Sequence, residues 1–347
     1  MKYVNSCSPH VKGAMTTRRI MIDVCIALWP SLVVGCILLG VRSLLVVSIA
    51  VLSAALSEIV YRLCCKVQLK QILAEFDFSS IVTGLIVGMN MYPNSAWYAP
   101  LLASVFAVVV VKMLFGGTGK NIVNPAVAGR IFAFISFGAA FGGSYAANQV
   151  YVSQLTGKSC WQLAAEGTSG GVKSGATPLQ AILGGTATNE LSGWDLFLGT
   201  GVYGAIGEVC KLALIVGGIY LVIRGVLNFR WPLVYVAVAG VTAVIIEWIT
   251  KGSFNQAIAT FLPNILSGGL IFGAIFMATD YVTTPATKLG NYVYFVILGI
   301  LTSVLRYATK GEVVSFVILL MNLVVPLIDM YVVRKPFGYT KPQKEAK

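Results

Sequence analysis

The sequence predicts an all-α integral membrane protein of about ten transmembrane helices, built as two inverted five-helix repeats that each contain a broken helix. Three observations carry this reading. Hydrophobic residues make up 57% of the 347-residue chain and charged residues only 11%, with a mean hydropathy of +0.83, against about 25% charged residues in soluble domains. The apolar residues gather into runs bounded by charge or turn residues, at 20–39, 43–63, 78–92, 96–115, 126–143, 199–223, 231–250, 258–278, 290–308 and 313–333. The third run is interrupted by Asn90 and followed by Tyr92-Pro93-Asn94; the eighth is interrupted by Pro263-Asn264 and closed by Thr279-Asp280-Tyr281. These two lie five spans apart, and an odd offset inverts the second copy so that the breaks meet near the midplane.

Residues 1–19 form a polar, basic tail, and the run that follows starts too late and runs too long for a cleaved signal peptide, so it reads as a retained first span. Spans one to five occupy 20–143, an external loop 144–198, spans six to ten 199–333, and a second basic tail 334–347. An even number of spans puts both termini on one side. With the N-terminus cytoplasmic, the inside segments hold eighteen Lys and Arg residues and the outside segments six, which orients the chain in the inner membrane of a bacterial or archaeal cell. The net charge of +12 is therefore explained by topology and contact with membrane lipid rather than by nucleic acid, because the basic residues are spread through short loops.

Seven cysteines are scattered at Cys7, Cys25, Cys36, Cys64, Cys65, Cys160 and Cys210, with no CxxC and no Cys/His cluster, so neither an iron–sulfur cluster nor zinc is expected. His10 is the sole histidine and lies in the N-terminal tail, which excludes a histidine proton relay. Trp29, Trp97, Trp194, Trp231 and Trp248 fall near expected span ends, where an interfacial belt is the ordinary reading.

Two segments have the composition of a site. In the external loop, Ser174-Gly175-Ala176-Thr177-Pro178-Leu179-Gln180 leaves the Thr177 hydroxyl unshielded between Gly175, Ala176 and a Pro178 that fixes the next backbone angle. On the residues alone, a surface turn of small residues is the commoner explanation. After the fourth span, Gly116-Gly117-Thr118-Gly119-Lys120-Asn121-Ile122-Val123-Asn124-Pro125-Ala126-Val127-Ala128-Gly129-Arg130 is a glycine-rich turn leading into a helix, where Lys120 and free helix-start amides can face an anion. It lacks the GxxxxGK[ST] pattern, which excludes nucleotide hydrolysis. Asn121 and Asn124 also suit turn and cap positions, so packing and ligand contact stand level.

Acidic residues in or beside the apolar runs are Asp23, Glu58, Glu208, Glu247, Asp280 and Asp329. A carboxylate at the bilayer centre costs roughly 2.5 kcal/mol or more, so each needs a partner, a proton or a cation. Asp280 is the candidate for ion coupling, since it closes a broken span beside Thr279, Thr283 and Thr284. Lys211 is expected to neutralise Glu208 across one helical turn, and Glu58, Glu247 and Asp329 read as interfacial.

Ser174-Gly175-Ala176-Thr177 followed by Pro178-Leu179 resembles the flavinylation motif of the RnfD/NqrB family of membrane subunits, and the 116–130 segment resembles the same family's signature after its fourth span. The resemblance covers nearly the whole chain, and the compact N-terminus is more similar to the RnfD branch. It implies FMN joined by a phosphoester to Thr177, delivered from FAD by a flavin transferase, with Ser174, Gly175, Ala176, Pro178, Lys120, Asn121, Asn124 and Arg130 as candidate cofactor contacts. It further implies a non-covalent riboflavin, and a multi-subunit oxidoreductase that exchanges electrons between ferredoxin and NAD and couples the flow to Na⁺ or H⁺ movement. In that complex this chain relays electrons, and the ferredoxin and NAD sites belong to partner subunits. Quinone reduction of the NqrB kind shares the flavin; a small-solute channel or transporter shares only the fold.

Overall fold

The computed structural model describes residues 15–138, 179, 193–199 and 204–333. Thr177 with its neighbours Ser174, Gly175, Ala176 and Pro178, most of the external loop and the C-terminal tail lie outside the described residues. No strand occurs among the described residues. The first half comprises α1 (Thr17–Leu39), α2 (Arg42–Cys64), a short α3 (Leu69–Glu75) that bends by 70° into α4 (Ser79–Met89), α5 (Tyr98–Val105, continued as a π-helix over Phe106–Met113) and α6 (Pro125–Ser136). A short α7 (Gly193–Leu198) precedes the second half: α8 (Lys211–Ile223), α9 (Arg230–Lys251), α10 (Phe254–Ala259), α11 (Phe261–Leu266), α12 (Leu270–Phe272, continued as a π-helix over Gly273–Met277), α13 (Lys288–Thr309) and α14 (Val314–Tyr331). The α10–α11 segment bends by 59° into α12.

Five helices are long and apolar enough to cross a membrane alone, the two bent pairs raise this to seven, and the shorter apolar helices Tyr98–Met113, Pro125–Ser136 and Lys211–Ile223 occupy the remaining expected spans. The bent unit is the third of each half, as the five-span offset predicts. Branched residues such as Leu45, Leu52 and Leu56 on α2 stay exposed while Val46, Val47, Ala50 and Ala54 are buried on the opposite side. That pattern suits a helix with protein on one side and lipid on the other. The halves meet where α1 packs on α8. There a Cβ on Gly217 would lie 2.1 Å from Ala27 O, so only glycine permits the approach.

The structure corrects the sequence reading at four places. The eighth span does not break at Pro263-Asn264: Pro263 sits in the first turn of α11, where the missing N–H is not needed, and the break falls at Ser267-Gly268-Gly269. The third span begins earlier, with α3, and turns through Phe78, whose φ of 65° is left-handed. Among the described residues of the sixth run, helix begins at Lys211; before it, Ile206 N donates to Met91 O (3.0 Å) and Gly207 N to Met89 O (2.7 Å), which satisfies the non-helical backbone against the end of α4. Trp29 faces outward from the middle of α1 rather than from a span end, and Trp231, at the start of α9, stacks on Phe295 (ring centroids 5.8 Å apart, 8° between planes).

Gly217→Val should force α1 from α8 and cost about 1–3 kcal/mol. A lowered thermal unfolding midpoint in detergent is the expected result, and an unchanged midpoint would contradict this account of the contact between halves.

Candidate functional site

At the break in the second half, the backbone freed by Ser267-Gly268-Gly269 is bonded by charged side chains. Arg306 donates from Nη1 to Asn264 O (3.1 Å) and from Nη2 to Ser267 O (3.4 Å), Lys211 Nζ donates to Gly268 O (2.8 Å), and Gly269 N donates to Glu312 Oε2 (3.1 Å). The Arg306 Nη2 also reaches both oxygens of Glu312, at 2.9 and 3.2 Å. Beside them Arg130 donates to Glu208 Oε1 (3.2 Å) and to Ser315 Oγ (2.8 Å). Gly268, at φ +64°, is held so close that a Cβ there would lie 1.8 Å from Glu312 Oε2. Three cations and two carboxylates thus surround one turn of irregular backbone, which a bilayer tolerates only when its groups are bonded within the protein.

The first half repeats the plan. Beside the break between α3 and α4, Lys112 Nζ donates to Glu58 Oε2 (3.1 Å), Ser79 Oγ (2.6 Å) and Ser80 Oγ (2.8 Å), using all three of its protons. Ser80 also donates to Glu58, and Arg62 lies 2.6 Å from the other Glu58 oxygen. In the second half Glu247 pairs with Lys251, four residues on as Arg62 is from Glu58, and accepts from Thr260 and from Tyr307 Oη (3.1 Å). Glu58 and Glu247 are 0% and 2% exposed, so both are enclosed in protein and not interfacial as the sequence suggested. Asp329 does keep a half-buried place near the end of α14, where it accepts from Ala286 N (3.0 Å).

Between the halves lies a cleft with a cavity of ≈ 130 Å³, lined among others by Asn121, Asn124, Lys112, Thr118 and Asp280. Asn124 joins the halves. Its Oδ1 caps α6 by accepting from Ala126 N (3.0 Å), and its Nδ2 donates to Met277 O (3.1 Å) at the end of the α12 unit. The Asn322 amide, oriented to satisfy its neighbours, accepts from Asn124 N (3.1 Å) and donates to Tyr294 Oη (3.0 Å) and Ile318 O (3.2 Å). A larger cavity of ≈ 810 Å³ adjoins the cleft, sharing Thr279, Tyr281 and Val282 with it and reaching Trp231, Asn291 and Phe295.

The structure therefore brings Asn121, Asn124 and Asp280 to one cleft although they come from different halves. Asp280 accepts from Val282 N (3.5 Å) and Thr283 Oγ1 (3.3 Å), whereas Thr279 and Thr284 donate to the main-chain carbonyls of Ile275 and Asp280. Burial pushes the Asp280 carboxyl above the usual carboxylate range, against those two hydrogen bonds. Lys120 and Arg130 do not line the cleft: Lys120 is exposed and folds over Gly116, and Arg130 is buried on Glu208. Lys211 does not bond the Glu208 carboxylate as expected; its Nζ goes to the main-chain oxygens of Glu208 and Gly268. Sequence reasoning passed over Lys112, Arg306 and Glu312, counting the first two as loop charges. The available signal was the position of Lys112 and Arg306 inside apolar runs.

A multi-pass helical chain with buried charges around two broken helices and a polar cleft between its halves is an integral membrane protein. Comparison narrows the class. The NQR2, RnfD, RnfE family matches residues 4–338, and the chain belongs to that family. Among its relatives, the D subunit of the Na⁺-translocating ferredoxin:NAD⁺ oxidoreductase complex of Acetobacterium woodii is 34% identical, covering 99% of this chain and 97% of the relative. The D subunit of the proton-translocating ferredoxin:NAD⁺ oxidoreductase complex of Clostridium ljungdahlii is 33% identical over 96% of this chain and 95% of its own. The D subunit of the ion-translocating oxidoreductase complex of Alcanivorax borkumensis is 31% identical over 98% of each.

Arg130→Met should leave Glu208 buried without its arginine and cost about 3–5 kcal/mol, most of it recovered in Arg130→Met/Glu208→Met. Thermal unfolding of the three proteins tests this; a double variant no better than the single would refute the pairing.

Proposed function

We propose that this chain is the D subunit of an ion-translocating oxidoreductase that couples electron flow between ferredoxin and NAD to Na⁺ or H⁺ movement, and that it carries FMN esterified to Thr177. The observation that carries the proposal is the end-to-end match to relatives named as that subunit, together with Thr177 in a Ser-Gly-Ala-Thr sequence. The excess of basic residues on one side supports cytoplasmic termini and a flavin loop on the outer face. Removing the buried Lys112, Arg130 and Arg306 from the count leaves the bias in place. Partner subunits and a flavin transferase complete the working assembly.

The bound flavin supplies the redox chemistry. The chain's part is to hold it at a fixed place and to move charge around it. Riboflavin, the second flavin, has too little room in the ≈ 130 Å³ cavity alone, but the adjoining ≈ 810 Å³ space is of the size of a small-molecule site. Its walls offer the Trp231 ring, backed by Phe295, for stacking and the Asn291 amide for hydrogen bonding. The position of Asp280 along the cleft, in the loop that closes the broken span, supports a role for it in ion coupling.

Thr177→Ala, expressed with the transferase, should lose the in-gel flavin fluorescence that survives denaturation, and the wild-type peptide containing Thr177 should show the mass of esterified FMN. A bare peptide from protein matured with the transferase would remove the covalent cofactor. Asp280→Asn should retain that fluorescence while ion transport driven by electron flow in the reconstituted complex falls at least several-fold. Transport equal to wild type would take Asp280 out of the coupling.

A further inference from the structure

An apolar groove of ≈ 710 Å³ runs between α8, α9 and the bent α11–α12 unit, bordering the cleft at Ile275 and the larger cavity at Leu227 and Phe229. Its walls are mostly branched aliphatic, among them Ile219, Ile223, Leu233, Val236, Ile265 and Ile275. At one end, groove residues Ile223 and Phe229 are each followed by an exposed arginine, Arg224 and Arg230. The Nε of Arg224 holds Asp23 at 3.2 Å while 42% of its side chain stays exposed. Arg224 is thus turned toward α1 by Asp23, whereas Arg230 follows Phe229 at the end of the groove, and an apolar slot with an exposed guanidinium beside its end matches the two parts of one molecule, an acyl chain and a phosphate-bearing headgroup.

We infer that this groove binds an anionic phospholipid, with an acyl chain between α8, α9 and α12 and the headgroup phosphate on Arg230. A partner transmembrane helix fits less well. Close helix pairing in lipid favours small residues and interhelical hydrogen bonds, and the lining offers few small side chains, chiefly Gly218, Ala237 and Ala274. A flexible acyl chain fills a channel of branched side chains without such matching, and basic residues at the interface favour anionic lipid. In the orientation proposed above, the arginine end faces the cytoplasm.

The test uses the assembled complex, purified in mild detergent and mixed with equal amounts of 16:0/18:1 phosphatidylglycerol and phosphatidylcholine. Lipid retained on this subunit is read by native mass spectrometry. Wild type should keep phosphatidylglycerol in preference to phosphatidylcholine. Ala237→Phe, which fills the exposed groove wall, should lose the retained lipid, and Arg230→Gln should cut the preference about fivefold while leaving the fold intact. Equal retention of both lipids by wild type, or unchanged retention in Ala237→Phe, would overturn the inference. So would an Ala237→Phe complex that sheds a partner subunit and keeps its lipid, because the groove would then be a helix-docking face.

Discussion

A helix that breaks inside a bilayer exposes carbonyl and amide groups with no water to bond them, and the rest of this structure depends on how that need is met. At Ser267-Gly268-Gly269 the need is met by Arg306, Lys211 and Glu312, each of which is itself expensive to bury. Neither feature is stable alone. The charges have partners because the helix is broken, and the break persists because the charges bond its backbone.

The same device appears in both halves with different residues. Glu58 and Glu247 lie at matching places on the second helix of each half, each with a basic residue four positions on, and each reaches across to the fourth helical unit, to Lys112 in one case and Tyr307 in the other. What differs is the remaining charge. Around its break the second half adds Glu208, Lys211, Arg306 and Glu312, which with Arg130 of the first half tie α6, α8, α13 and α14 into one network. The break of the second half is thereby tied to a helix of the first.

Other side chains also join the two halves. Asn124 is the clearest case: one side chain caps α6 and bonds the end of the α12 unit, while its main-chain N–H meets Asn322 on α14. A residue that the sequence offered equally as a cap or a ligand contact serves as the cap and lines the cleft as well.

The sequence by itself determined the membrane class and which unit of each half is interrupted, because burial in lipid demands long apolar runs and polar residues show plainly against them; Asn90, however, caps the end of α4, and the bend of the first half falls at residues 76–78. It also singled out Thr177 as the proposed attachment point, because a modification motif is a local pattern of residues. It misplaced the second break, since Pro263 is an obvious interruption on paper but is tolerated in the first turn of a helix. Only the tertiary structure decided the partners of the buried charges. Lys112 meets Glu58 across 54 residues and Arg130 meets Glu208 across 78, and such pairings follow from which helix faces which, a packing outcome that no local pattern encodes.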